Sequence, residues 1–368
     1  MSIQSCCVLV LALSLSLGAG GVKAKSDKSV SLPHERPALM TDEARRAITI
    51  GLATAGDRIV AVGERGVILL SDDHGRSWRQ VPAPVSVTLT AVDFVDEDLG
   101  WAVGHSGVVL HTRDGGETWE TQYDGIRAAQ AIAARVKVLT ADMTEDEAWP
   151  LQNYASLLVE DGPDKPFLDV LFLDEEKGFI VGAFGLVFRT SDGGATWQPW
   201  FEKVENPDLL HLYRLSTNGQ SIVMAGEQGL YLRSDDSGER FAQYQTPYNG
   251  SFFTIAPLSS GDWLLAGLRG NVFIHSPSDG SYRKLPTHSQ ISINGSFVSN
   301  DRVLLVDQAG HVYETGAEKP SLNSIPMRPL PPASNLISSG DGAFVAATYR
   351  GPIRFDDQAL SSESGEHQ

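Results

Sequence analysis

Three arginines occupy the same place in a recurring turn. Arg65, Arg269 and Arg350 each stand just before the closing glycine of a four-residue Gly-x-x-Gly-like segment, where the other copies carry Ser106, Phe184, Gln228 and Ala309. Guanidinium groups gathered on one surface bind carboxylates or phosphates through charge-assisted, often bidentate, hydrogen bonds. Such a group stands out because the 368-residue chain has a formal net charge of −17. That charge repels nucleic acid and anionic lipid on average, so nucleic acid is not an expected partner. The competing reading is structural: exposed turns tolerate arginine, which then pairs with Glu43, Glu64 or Glu227.

Other residue types offer less chemistry. The nine histidines include no pair at helical ligand spacing, and the two cysteines, Cys6 and Cys7, sit in the first few residues. No metal site and no cofactor are expected. No nucleophile, base and oxyanion donor fall together in a recognisable pattern, so a non-enzymatic role is expected.

The elements that must position the arginines are announced by repeats. Four segments share the form [ST]-x-D-x-G-x-[ST]-aromatic. They are centred on Asp73, Gly75 and Trp78; Asp114, Gly116 and Trp119; Asp192, Gly194 and Trp197; and Asp236, Gly238 and Phe241. A fifth, Ser276–Tyr282, is degenerate. In each, the Asp carboxylate can accept hydrogen bonds from free turn amides, glycine supplies a positive φ, and the ring packs back on the sheet. These acids are therefore read as turn residues and the rings as packing.

The Gly-x-x-Gly segments precede these boxes. Their final glycines fall at 66, 107, 185, 229, 270, 310 and 351, at intervals of 41, 78, 44, 41, 40 and 41 residues. The long interval holds one repeat plus 37 residues, so it marks an insertion within 126–166. Each repeat reads as four short strands; in the second they are Thr90–Phe94, Trp101–Val103, Val108–His111 and Thr118–Gln122. Four strands per ~40 residues, seven times, predict an all-β seven-bladed β-propeller. The helical insertion falls between blades two and three.

The run Gly100–Trp119, through its Gly-Trp-Ala-Val-Gly-His-Ser-Gly start and Asp-Gly-Gly-Glu-Thr-Trp end, resembles the repeat of the photosystem II stability/assembly factor family. That family lies within the wider BNR/Asp-box propellers, which include sialidases. The likeness extends over nearly the whole chain after its first residues and is best in blades one to four. It implies an exported propeller, here a non-photosynthetic bacterial member, that assists a membrane or envelope protein.

Meander topology puts the Gly-x-x-Gly turns, the inter-blade links and the insertion on one face, and the Asp boxes on the other. Arg45 and Arg46, in the link leading into blade one, should emerge with Arg65 and Arg350. In the insertion, Ile126, Ala129, Ile132, Ala133, Val136 and Leu139 form one helical stripe, with Arg127, Arg135 and Lys137 elsewhere. A second short helix is predicted over Leu151–Val159. The stripe either packs on the rim or forms a lid or partner-binding arm.

The chain ends complete the reading. Residues 1–24 read as a secretory signal cleaved after Ala24, which removes both cysteines and leaves the propeller at 25–357 periplasmic or secreted. No membrane span is expected after cleavage, and the protein should be monomeric. Blade seven shows only three strands, so Val30–Leu32 or Ala38–Met40 is predicted to supply the fourth. The polar tail, 358–368, is expected to be disordered.

Two functions fit. The first is an assembly, stability or accessory factor for a membrane or envelope protein, docking through Arg45, Arg46, Arg65, Arg269, Arg350, Arg127 and Arg135. The second is a sialidase-like glycosidase or carbohydrate binder. For that, His34-Glu35-Arg36-Pro37 stands where an Arg-Ile-Pro is needed, and Tyr349 beside Arg350 is the one suggestive trace.

Overall fold

Short apolar stretches separated by glycine-rich turns fold as antiparallel meanders. The computed structural model describes residues 31–287, 289–299, 302–316 and 321–356. The signal segment, Val30 and the tail from 358 onward lie outside them. Seven sheets follow in chain order, at 49–81, 89–123, 167–199, 212–243, 252–285, 293–324 and 333–355. Six have four described strands and the last has three. In the second sheet the strands are Leu89–Phe94, Gly100–Gly104, Val109–Thr112 and Glu120–Tyr123. The first strand of each sheet packs on the first strand of the next, and that of sheet 1 on that of sheet 7, which closes a ring.

Strand composition follows position in this ring. The second strand of each sheet is covered by neighbours on both faces, so it reads as an apolar run and not an alternation. Gly100–Gly104, Ile222–Gly226 and Trp263–Gly267 are buried at every residue. The outermost strands Ala242–Gln243 and Asn323–Ser324 are exposed throughout.

The join between sheets 7 and 1 corrects one expectation. No described residue before Thr49 adds a strand to sheet 7. Instead the N-terminal segment lies along the stretch that follows sheet 1: Ala38 N–H donates to Ala83 O at 3.0 Å, Ser86 N–H to Pro33 O at 2.8 Å, and Thr41 N–H to Gln80 Oε1 at 2.9 Å. Pro33 and Pro37 each lack an amide donor, which makes this stretch a poor ladder strand. The ring is closed by side chains. Thr348 N–H donates to Thr49 Oγ1 at 3.1 Å, Ser334 Oγ–H to Ile50 O at 3.0 Å, and Arg354 to His74 O at 3.1 Å. The single turn Asp42–Arg46 touches the outer strands of both sheets.

Between sheets 2 and 3 in chain order stands a helical hairpin, α1 (Gly125–Leu139) and α2 (Glu145–Asp161). Asp124 caps α1 by accepting the Arg127 amide at 2.9 Å. The Glu147 carboxylate fixes the start of α2 by accepting the Thr144 amide at 3.0 Å and hydroxyl at 2.8 Å. Ala128, Ala129, Ile132 and Val136 pack with Tyr154, Ala155 and Leu158 against Phe167 and Phe188 of the third sheet. Burying each of the branched side chains is worth roughly 1.5–3 kcal/mol, so the hairpin is anchored. Ile126, assigned to the apolar stripe, is instead 41% exposed. The second helix is also longer than predicted. It runs from Glu145 to Asp161, with Pro150 inside it.

Candidate functional site

The turns that carry Arg65 and Arg269 share one geometry with those of sheets 2, 3 and 4, whereas Arg350 is not among the residues with positive φ. In the second sheet Gly104 precedes the turn because a Cβ there would sit 2.3 Å from Thr88 O, at the entry to the first strand. Ser106 and Gly107 then take φ of 59° and 62°. Two successive positive φ values are the type I′ hairpin, whose twist matches the flanking strands. The first of the two is not glycine in five sheets: Arg65, Ser106, Phe184, Gln228 and Arg269 have φ between 52° and 59°. A left-handed L-residue costs about 1–2 kcal/mol, so each of these side chains is displayed at a cost in backbone strain.

These tips point outward. Arg65, Phe184, Gln228, Arg269 and Arg350 are exposed. The carboxylates that might have neutralised the arginines are engaged elsewhere. Glu64 Oε1 accepts the Ile48 amide at 3.0 Å, Glu227 Oε2 accepts the His211 amide at 2.9 Å, and Glu43 pairs with Arg46 at 3.2 Å. Among the described residues no carboxylate pairs with Arg45, Arg65, Arg269 or Arg350. Arg45 lies beside the last turn: a Cβ on Gly351 would meet its carbonyl oxygen at 2.0 Å. Arg45, Arg46 and Arg350 therefore share one locality, Arg65 occupies the adjoining sheet, and Arg269 belongs to sheet 5.

The two arginines of the helical hairpin are not free. Arg127 donates to Gln122 O and stacks its guanidinium 4.8 Å from the Tyr123 ring centroid. Arg135 forms a two-pronged pair with Glu202. The first is spent on the start of α1 and the second on fastening α1 to the stretch after sheet 3. Arg135 thus has a carboxylate partner, and Arg127, which is exposed, has none among the described residues.

On the opposite edge the Asp boxes are saturated. Thr112 Oγ1–H donates to Asp114 Oδ1 at 2.8 Å and accepts the Gly116 amide at 3.0 Å. Asp114 also accepts the Thr118 amide at 2.9 Å and hydroxyl at 2.6 Å. Asp73 and Asp192 repeat this pattern. In the fourth box Arg240 replaces the second hydroxyl residue, and only its amide reaches Asp236, at 3.1 Å. Bonds from Ser77 hold the Asp73 carboxyl down to about 2. Trp119, Trp197 and Phe241 are buried against the sheets, and Trp78 is half-buried. Arg58 and Arg79 both pair with Asp72 and Glu117, and Arg76 and Arg354 both pair with Asp341.

A third set of charges lines the channel at the centre of the ring, which is about 340 Å³ and was not singled out from the sequence. Asp93 accepts the Phe172 amide at 2.7 Å, and Asp169 accepts the Leu215 amide at 2.7 Å with Arg214 3.6 Å away. Each carboxylate thus ties one first strand to the next sheet. Burial pushes the Asp93 carboxyl up to about 7, with Asp169 adding to the rise. The available signal was an acid in the middle of an apolar strand, as in Phe167-Leu-Asp-Val-Leu-Phe172. No group of metal-ligating side chains occurs among the described residues, and no described helix is long and apolar enough to cross a membrane.

A ring of four-stranded meanders with Asp-box turns on one edge defines a BNR-type β-propeller. The chain resembles the photosystem II stability/assembly factor propellers, as its repeats imply: the family model described as photosynthesis system II assembly factor YCF48 matches residues 70–164 and 153–249. Over 308 residues it is 25% identical to the chloroplastic photosystem II stability/assembly factor HCF136 of Cyanidioschyzon merolae, covering 78% of this chain and 62% of that one. It is 29% identical over 157 residues to the photosystem II assembly lipoprotein Ycf48 of Synechococcus sp., covering 40% and 45%. The chain therefore spans about half to six-tenths of the length of these relatives. Among solved structures, YCF48 bound to D1 peptide superposes with a TM-score of 0.61 at 14% identity, over 87% of this chain and 99% of that one. The WD40 domain of Sif2 superposes at 0.56 and 12%, over 83% and 79%. At such identities the superpositions establish the propeller fold.

Proposed function

We propose that the chain is an exported, non-enzymatic accessory factor that assists the assembly or stability of a membrane or envelope protein complex. In this reading the seven sheets are seven blades, with the helical hairpin between the second and third. Docking uses the Gly-x-x-Gly face, with Arg45, Arg46, Arg65 and Arg350 as one anion-binding group and Arg269 as a separate contact. Support for the role comes from the relatives, which are named as photosystem II assembly factors, and from a structural neighbour described as bound to a D1 peptide. The observation that carries the docking face is the contrast in pairing. Arg45, Arg65, Arg269 and Arg350 have no carboxylate partner among the described residues, although the chain carries 46 acids against 29 lysines and arginines.

The test is affinity capture from detergent-solubilised membranes of the source cells. The wild type is expected to recover a membrane protein, and the Arg65→Ala, Arg269→Ala, Arg350→Ala triple variant to lose it. Equal recovery by both removes the docking face. Turnover of a fluorogenic glycoside panel would instead favour a sialidase-like enzyme.

A further inference from the structure

A groove of about 740 Å³ runs between the helical hairpin and the link from sheet 3 to sheet 4. Leu139, Met143 and Leu151 line it from the hairpin, and Phe201, Val204 and Leu209 from the link. None of these residues carries the arginine cluster, so the groove stands independently of the docking face proposed above.

Its link wall is held in one shape. Leu209 adopts φ of 52°, a left-handed conformation that is a genuine outlier for a bulky side chain. Asn206, itself buried, fixes it: the side-chain amide donates to Leu210 O at 2.9 Å, the side-chain oxygen accepts the Leu210 amide at 3.0 Å, and the Leu209 amide donates to Asn206 O at 3.1 Å. The stretch before it is laced to sheet 4, with Phe241 N–H donating to Lys203 O at 2.8 Å and Glu205 N–H to Phe241 O at 3.0 Å. The hairpin wall is fastened by the Arg135–Glu202 pair and by Tyr154, whose hydroxyl donates to Phe184 O at 3.1 Å. Strain kept in place by surrounding bonds points to a shape that matters, and a preformed apolar cleft lowers the ordering cost of binding.

The rim specifies the occupant. Glu205 lines the groove, and Asp142, Glu145 and Asp146 flank the lining residue Met143 in the chain; all four are exposed, and none has an ion-pair partner among the described residues. A second copy of this acidic chain, or an anionic bilayer, would bring like charge to that rim. A cationic segment is favoured, with apolar side chains to fill the floor. We propose that the groove is a docking site for a short amphipathic peptide segment of another protein, apolar on one side and bearing Lys or Arg on the other. This is helix-in-groove or extended-peptide recognition with acidic selection at the rim.

The probe is a synthetic amphipathic peptide with Leu on one face and Lys on the other, titrated into the full chain by calorimetry. Two controls replace every Lys by Glu or every Leu by Ser. The Leu/Lys peptide is expected to bind saturably at one site and more weakly as salt rises, and both controls to lose most of that affinity. Met143→Asp, at an exposed position, should weaken binding roughly tenfold or more; Glu205→Lys should weaken it severalfold. The triple arginine variant should bind the peptide as the wild type does, which separates this site from the face proposed for docking. Unaltered thermal melting of Met143→Asp guards against a folding artefact, and Leu139→Ser repeats the test from the end of α1. The proposal is overturned if the wild type shows no saturable binding, if the Glu-bearing control binds equally, or if Met143→Asp and Leu139→Ser leave binding unchanged. Concentration-dependent dimerisation abolished by Met143→Asp would assign the groove to a second copy and overturn it as well. Binding to phosphatidylglycerol vesicles lost in that variant would do the same in favour of a membrane.

Discussion

The two edges of the ring use the same residue types in opposite ways. On the Asp-box edge, arginines and carboxylates neutralise one another: Arg58 and Arg79 with Asp72 and Glu117, Arg76 and Arg354 with Asp341. The box carboxylates take several turn hydrogen bonds each, leaving little for a ligand. Arg113 and Arg240 are exceptions there, exposed and without a carboxylate partner among the described residues. On the Gly-x-x-Gly edge the acids Glu64 and Glu227 bond to backbone amides, and the neighbouring arginines are left without carboxylates. The lesson is that a motif's prominence in sequence reflects how strongly it shapes the chain. The Asp box is conspicuous because it makes a turn. The facing arginine turn is inconspicuous, and its residues Arg65, Arg269 and Arg350 have no carboxylate partner among the described residues.

This contrast can be broken or sharpened by substitution. The largest effect should come from Arg65→Ala, Arg269→Ala and Arg350→Ala together, which are expected to reduce affinity for an acidic partner at least roughly tenfold. Thermal melting should stay at the wild-type value, since no ion pair is lost. Next comes Asp93→Asn in the channel. Its folded pKa of about 7 exceeds the ordinary 3.8, so the charged form opposes folding. That penalty is absent below about pH 4 and grows as pH rises to 7. Asp93→Asn should therefore stabilise by on the order of 1–3 kcal/mol at pH 8, with little gain at pH 4, as read by urea unfolding at the two pH values. Asp73 has the opposite sign. Its carboxyl is depressed to about 2, so its contribution is complete above pH 4 and is lost as pH falls through 2. Asp73→Asn should flatten the acid limb of the stability profile without touching the alkaline one.

Smaller effects follow. Asp114→Ala should cost about 1–2 kcal/mol, comparable to losing a helix cap, with partner binding unchanged. Arg65→Gly should raise stability by roughly 0.5–1 kcal/mol by relieving a left-handed arginine, while weakening binding. A stabilising substitution that impairs function would mark the strain at φ 54° as serving display. Differential scanning calorimetry beside the binding assay checks both.

Much of the architecture was legible because each repeat repeats its turn chemistry. The strands of the second sheet lie within a residue or two of those read from the sequence, and the sequence stripe Ala129, Ile132 and Val136 is the buried face of α1. What was not legible depended on contacts between distant segments. The fate of the N-terminal segment rests on Ala38 meeting Ala83, and local pattern could not choose between a fourth strand and that pairing. Arg135 showed no partner in the sequence until the fold brought Glu202 beside it. Leu209 offered no signal at all, since nothing local marks a leucine forced to positive φ.

The most direct test of the central claim is calorimetric titration of a Glu-rich peptide into three proteins at low salt. They are the wild type, the Arg65→Ala, Arg269→Ala, Arg350→Ala variant, and a control with Arg58→Ala and Arg79→Ala on the opposite edge. Saturable binding to the wild type and the control, lost in the turn-face variant and weakened by salt, is the expected result. Equal binding by all three proteins would contradict the account, as would loss confined to the Arg58/Arg79 control.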